Sequence, residues 1–205
     1  MLRLAREAGA PDEVPRSGRR GFTLAEILVA LMILATMAAV TIPVVLGRLR
    51  AANTAAVAGE LQTLRDAILN YQSRVGRYPN RLSYLTLLPA SGVTDPCGGA
   101  YTTTQYTAWR GPYVTRPITT WYIIADGDTV DNPLARTPST ATANVNNYLQ
   151  INVYGVDSVM ARDVQAQLDG DGNFGQGAIL WVVVSGKYGK LTYQIPIAGV
   201  GSSGC

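Results

Sequence analysis

The chain has 205 residues, of which 47% are hydrophobic and 15% charged, enough for about one to one and a half domains. Its formal net charge of +3, from 17 Lys+Arg against 14 Asp+Glu, excludes a strongly basic surface that grips nucleic acid by neutralising phosphates. Histidine is absent, which removes imidazole-dependent catalytic triads, His-containing zinc sites and the commonest general base at neutral pH. Cys97 and Cys205 are too few for a four-cysteine metal centre, though they can form one bridge.

Charge is unevenly distributed. Ile27 to Leu46 is a run of 20 uncharged residues, the length a helix needs to cross a bilayer core. Arg16, Arg19 and Arg20 precede it, so the positive-inside rule keeps the N-terminus cytoplasmic and exports everything after Leu46. A cleaved secretory signal has a shorter apolar region, about 7 to 15 residues, and a generic single-span anchor is the other plain reading. Neither accounts for Glu26 at the edge of the run, where a carboxylate costs up to roughly 3 kcal/mol if it enters hydrocarbon. The apolar segment offers no cationic partner, so one is expected from another molecule or from a newly created chain terminus.

Gly21-Phe22-Thr23-Leu24-Ala25-Glu26, preceded by Arg19-Arg20 and followed by the apolar run, resembles the class III signal of type IV pilins and type II secretion pseudopilins. The resemblance implies that a prepilin peptidase cleaves between Gly21 and Phe22 and that Phe22 becomes the N-methylated terminus. It also implies that Glu26 pairs with the terminal amine of a neighbouring subunit during filament assembly. Pro43 coincides with the helix-kinking proline of that family. The implied product is a structural subunit rather than an enzyme, needing no cofactor, held in the bacterial inner membrane before entering a pilus or pseudopilus. Its implied partners are the peptidase, like subunits with or without minor pseudopilins, an inner-membrane assembly platform and an assembly ATPase.

Beyond the span the apolar residues form a stripe. Val57, Leu61, Leu64, Ile68 and Tyr71 recur at helical spacing, and the pattern fades by Ser73, with Gly76 and Pro79 as stop signals. A helix from Leu24 to Ser73 would have an apolar half and an amphipathic half. Pro43 removes one intrahelical hydrogen bond, so a kink, or local melting between Ala38 and Gly47 on assembly, is expected. The chain thus divides into a leader (1–21), a transmembrane half-helix (22–46), an amphipathic half-helix (47–75) and an exported head (76–205).

In the head the helical period gives way to short runs. Strands are expected at Trp121 to Ala125, Tyr148 to Tyr154, Ile179 to Ser185 and Leu191 to Ile197, the last two joined by a hairpin through Ser185 to Lys190. Val156, Met160, Val164 and Leu168 suggest a short helix capped by Asp157 or Ser158. The expected fold is α+β, a long helix packed on a small antiparallel sheet.

The segments Gly76-Arg77-Tyr78-Pro79 and Ala108 to Val114 (Ala-Trp-Arg-Gly-Pro-Tyr-Val) are similar to the head of the major type II secretion pseudopilin, although this head is longer. Two acidic clusters are candidate calcium sites, Asp169, Asp171 and Asn173, or Asp126, Asp128 and Asp131, and calcium in the head is a property the resemblance lends them. The first departs from an EF-hand, with Phe174 and Leu180 where glycine and the bidentate glutamate belong, and Asp-Gly repeats commonly make tight turns. Both cysteines would lie in an oxidising compartment. A Cys97–Cys205 bridge would close 108 sequence steps, worth at most about 4.7 kcal/mol by loop entropy. An alternative function is a minor pilin acting as tip adhesin or DNA-binding module through Tyr101, Tyr106, Trp109, Arg110 and Arg116, but the mature chain's 12 Lys+Arg against 11 Asp+Glu speaks against nucleic acid.

Overall fold

A computed structural model of the chain describes residues 21–118, 121–123, 129–137, 147–170, 173–175 and 177–197. The leader through Arg20, Ile124, Ala125, Asp126, Asp128, Asp171 and Cys205 lie outside them. The chain divides into two compact units, Met1–Val45 and Leu46–Cys205.

Helix α1 runs from Leu24 to Val75. Its part in the first unit is exposed throughout, and an 18-residue window of the helix reaches a mean hydropathy of 2.5 with none of it buried inside the protein. Exposing so much hydrocarbon to water is unfavourable at about 25 cal/mol per Å², so this surface requires lipid or another apolar partner. Pro43 lies within the helix, which continues across it without a break. Thr36 Oγ1 donates to the Ile33 carbonyl (2.8 Å) and Thr41 Oγ1 to that of Met37 (2.9 Å), so both hydroxyls are satisfied without leaving the helix.

In the second unit α1 becomes one-sided. Val57, Leu61, Leu64, Ile68 and Tyr71, the stripe read from the spacing, are fully buried, joined by Thr54, Ala58, Ala67 and Val75. The helix ends two residues later than expected, at Val75. There Gly76 takes a φ of +81°, a left-handed conformation that an L side chain disfavours, and its N–H returns to the Gln72 carbonyl (2.7 Å).

The other side of the core is a six-stranded sheet with every pair antiparallel. The strands are β1 (Trp121–Ile123), β2 (Thr129–Asp131), β3 (Ala135–Thr137), β4 (Asn147–Asp157), β5 (Ile179–Ser185) and β6 (Tyr188–Ile197). Along the sheet they run β1-β2-β4-β6-β5, and β3 also pairs with β4. Val130 of β2 faces Val153 and Arg136 of β3 faces Leu149, so β2 and β3 lie end to end along one edge of β4. The alternation in β4 buries Leu149, Ile151 and Val153, as a sheet with one core face requires. Gly155, at φ +98°, coincides with the bulge between Tyr154 and Val156.

The expected α+β class holds. The strand β5 has the expected bounds, β4 and β6 are each longer than expected, and of the strand expected at Trp121 to Ala125 the described part is β1. The helix α3 (Ser158–Leu168) is capped by Asp157, whose carboxylate accepts from the N–H groups of Val159 and Met160. Four elements correct the reading of Tyr78 onward as free of helical period before α3 and of strands between Trp121 to Ala125 and Tyr148. A 3-10 turn occupies Leu82–Leu85, a one-and-a-half-turn helix α2 occupies Thr103–Ala108, and the edge holds two extra short strands, β2 and β3. Thr102 and Gln105 form a reciprocal capping box on α2. Asn132, between β2 and β3, accepts from Leu82 N–H through its carbonyl and from Ser83 N–H through Oδ1, both at 2.8 Å.

Candidate processing and assembly site

Gly21, Phe22 and Thr23 precede the helix in non-helical backbone, and all three are exposed. Phe22 is 82% accessible, and no heavy atom beyond its chain neighbours lies within 4 Å of where a Gly21 side chain would begin. The Gly21–Phe22 bond thus lies in exposed, non-helical backbone, as peptide cleavage demands of a substrate. A helical bond one turn later would have to unwind first.

Thr23 and Glu26 close the helix start reciprocally. Glu26 Oε2 accepts from the Thr23 N–H and from Thr23 Oγ1, both at 2.9 Å, while Thr23 Oγ1 accepts from the Glu26 N–H at 3.2 Å. This is a capping box, and it places a carboxylate at the positive end of the helix dipole. Glu26 therefore has two donors from its own chain, beside the cationic partner expected from another molecule or a new chain terminus. Those donors are dipoles rather than a cation, and among the described residues no ion pair compensates the carboxylate. The Thr-x-x-Glu spacing ahead of an apolar run signals this cap in the sequence.

Residues 16–42 match the family described as the prokaryotic N-terminal methylation motif. The chain carries the class III signal of type IV pilins and pseudopilins. The methylation motif covers 27 of the 205 residues and contains Gly21, Phe22, Glu26 and most of the exposed apolar helix. A signal of this class implies processing by a prepilin peptidase and assembly with like subunits, points to a structural subunit, and is consistent with an N-terminus anchored in the inner membrane. No curated protein and no solved structure matches the chain.

The remaining candidates lie away from the methylation motif. Asp169 Oδ2 accepts from the N–H groups of Ala178 (2.7 Å) and Ile179 (3.3 Å), and Asn173 Oδ1 accepts from Gly175 N–H (2.9 Å). In the second cluster Asp131 Oδ2 accepts from the Tyr154 hydroxyl (3.1 Å). These oxygens close turns and tie strands together, and Asp126, Asp128 and Asp171 lie outside the described residues. Among the described residues no three acidic, cysteine or histidine side chains group as a metal site.

Cys97 is disulfide-bonded, and Cys205 lies outside the described residues. The loop around Cys97 is organised by a residue the sequence reading passed over. Asp95 is buried; its Oδ1 accepts from the N–H groups of Cys97 (2.9 Å) and Gly99 (2.8 Å), and its Oδ2 pairs with the Arg77 guanidinium.

The aromatic residues considered as surface contacts serve the fold. Tyr101 is buried and its hydroxyl donates to the Tyr78 carbonyl (2.7 Å). The Tyr106 hydroxyl donates to the Ala90 carbonyl (2.7 Å) and Trp109 Nε1 to that of Tyr84 (3.0 Å). Trp109 meets Tyr113 edge-on at 6.0 Å, and Tyr113 meets Tyr71 at 5.5 Å, so the Trp-Arg-Gly-Pro-Tyr segment is riveted to the end of α1. Arg110 donates to the carbonyls of Thr107 and Trp109, and Arg116 pairs with Glu60 (3.3 Å). Burial pushes the Tyr71 phenol up to about 12 and, for the same reason, raises that of Tyr101.

Proposed function

We propose that this protein is a structural subunit of a type IV filament, either a type II secretion pseudopilus or a type IV pilus. Residues 1–21 are its leader, Ile27–Leu46 holds it in the bacterial inner membrane with the N-terminus cytoplasmic, and the chain from Gly76 onward is an exported head. Prepilin peptidase cleaves after Gly21 and methylates Phe22. Like subunits, with or without minor pseudopilins, then add to the filament on an inner-membrane platform driven by an ATPase. A Cys97–Cys205 bridge tethers the C-terminal tail to the head. The observation carrying this reading is the methylation motif joined to an exposed apolar helix whose first turn holds Glu26. A DNA-binding tip subunit draws less support, because Tyr101 is buried and the polar atoms of Tyr106 and Trp109 are occupied by backbone carbonyls.

The capping box sharpens the test. In Glu26→Gln the N3 side chain still accepts from Thr23 N–H, so the cap survives while the charge is lost; Glu26→Ala loses both. We expect both variants to be cleaved and to assemble poorly, and Gly21→Ala to remain uncleaved, as read by intact mass and by electron microscopy of filaments. Normal filaments from Glu26→Gln would show that Glu26 acts as a helix cap and not as an ion-pair partner. Normal cleavage of Gly21→Ala would remove the processing assignment.

A further inference from the structure

The end of the β5–β6 hairpin is apolar and uncovered. Val182, Val183 and Val184 are 60%, 56% and 63% exposed and Tyr188 is 49% exposed. Successive residues of a strand point to opposite faces, so hydrocarbon emerges on both sides of this tip. Strand addition along β5 is disfavoured here, because the pairing shifts register between Val183 and Ser185 and such a bulge spoils the edge as a template.

The position of the tip identifies what covers it. Lys187 and Tyr188 line a cleft of about 280 Å³ together with Arg50, Asn53 and Thr54 of α1. Arg50 follows Leu46, the end of the apolar run, by four residues, at most about 14 Å of chain even if fully extended. The cleft that the tip shares with Arg50 therefore lies a short length of chain from the end of the apolar run. The tip's composition suits the headgroup zone, with valines for the acyl boundary, a tyrosine whose ring is apolar and hydroxyl polar, and a lysine that can extend to phosphate. Lys187 Nζ lies 5.0 Å from the Tyr188 ring centre, which keeps the cation beside the aromatic. Within the cleft Arg50 and Lys187 are balanced by Asp157 and Asp163, so apolar insertion rather than charge drives the contact.

We propose that the β5–β6 hairpin tip is a second membrane contact of this subunit, with Val182, Val183, Val184 and Tyr188 seated in the outer interfacial layer of the bilayer that holds the N-terminal span. The proposal rests on the membrane-anchored reading above. It makes the head of the unassembled subunit lie against the lipid surface, and entry into a filament must lift the tip out.

The test uses the full chain in phosphatidylcholine vesicles, with a nitroxide on Val183→Cys and, in separate samples, on Ile33→Cys in the span and Thr104→Cys on exposed α2. The unsubstituted chain carried through the same labelling supplies the background. Power-saturation electron paramagnetic resonance then compares accessibility to oxygen, which favours lipid, with accessibility to a water-soluble nickel complex. We expect the oxygen-to-nickel ratio at Val183 to lie several-fold above that at Thr104 and below that at Ile33, unchanged by high salt. A Val183 ratio equal to that at Thr104, with Ile33 in lipid, would place the tip in water and overturn the proposal while leaving the anchor intact. An Ile33 ratio equal to that at Thr104 would remove the anchor reading and the proposal with it. Spin–spin broadening at Val183 that disappears on dilution with unlabelled chain would assign the tip to a second copy instead.

Discussion

Replacing Asp95 separates a buried ion pair from the loop geometry it holds. The Asp95 side chain is fully inaccessible and that of Arg77 is 22% exposed, so the pair is far less screened than a surface salt bridge. In Asp95→Asn one carbonyl oxygen can still accept from the N–H groups of Cys97 and Gly99, but an amide now faces the guanidinium. Breaking a buried pair from one side costs about 3 to 5 kcal/mol, and Asp95→Asn is expected near the lower figure. Asp95→Ala additionally orphans two backbone N–H groups at about 1 to 3 kcal/mol each, so it should exceed 5 kcal/mol, comparable with the whole stability of many domains. At about 2 to 4 °C per kcal/mol for a unit of this size, Asp95→Asn should lower Tm by roughly 6 to 12 °C. The assay is thermal and denaturant unfolding of the detergent-solubilised chain, followed by near-UV circular dichroism. Because Asp95 binds the Cys97 N–H directly, Asp95→Ala, which loses that bond, should also have its disulfide reduced faster by dithiothreitol. An Asp95→Asn chain within about 0.5 kcal/mol of the parent would show that the pair behaves like an exposed one and would refute the argument.

Alkaline pH should unfold the second unit through its buried phenols. Tyr71 and Tyr101 have folded-state values raised above the ordinary 10, so their stability contribution is complete below pH 10 and is lost as pH rises above it, through about 12 for Tyr71. Tyr101→Phe should shrink that loss in a pH series of denaturant midpoints, while leaving the Tyr78 carbonyl without its donor costs about 1 to 2 kcal/mol at neutral pH; an unchanged alkaline limb would contradict it. Gly189→Ala should destabilise by about 1 to 3 kcal/mol through overpacking, because its Cβ would lie 2.5 Å from the Trp181 ring and from the Val182 carbonyl. The matching readout is a shift in indole emission, and a chain of parental stability would mean that Trp181 moves aside freely.

What was legible in the sequence followed from periodicity and local chemistry. The stripe from Val57 to Tyr71, the stop at Gly76, the Asp157 cap and the β5–β6 hairpin each depend on residues close together in the chain, and each is present. The strands β2 and β3 were not legible, because three residues carry no period and their pairing with β4 is settled by Asn132 and the distant Leu82–Leu85 turn. Asp95 was hidden for a related reason. In Thr94-Asp95-Pro96-Cys97-Gly98 it reads as an ordinary turn aspartate, and its partner Arg77 lies 18 residues away. At the candidate site the positions of Gly21, Phe22 and Glu26 were plain, but reading Glu26 only as a charge in search of a cation obscured its role in capping its own helix. The head aromatics misled in the opposite sense, since tyrosine and tryptophan with arginine suggest a contact surface until their hydrogen bonds are traced inward.

The divided edge beside β4 gives the head a place to vary. Because β2 and β3 each hold their own short register on one edge of β4, neither carries pairing information for the β4–β6 ladder along its other edge. A lineage can therefore rewrite either short strand without renegotiating the ladder at the centre of the sheet.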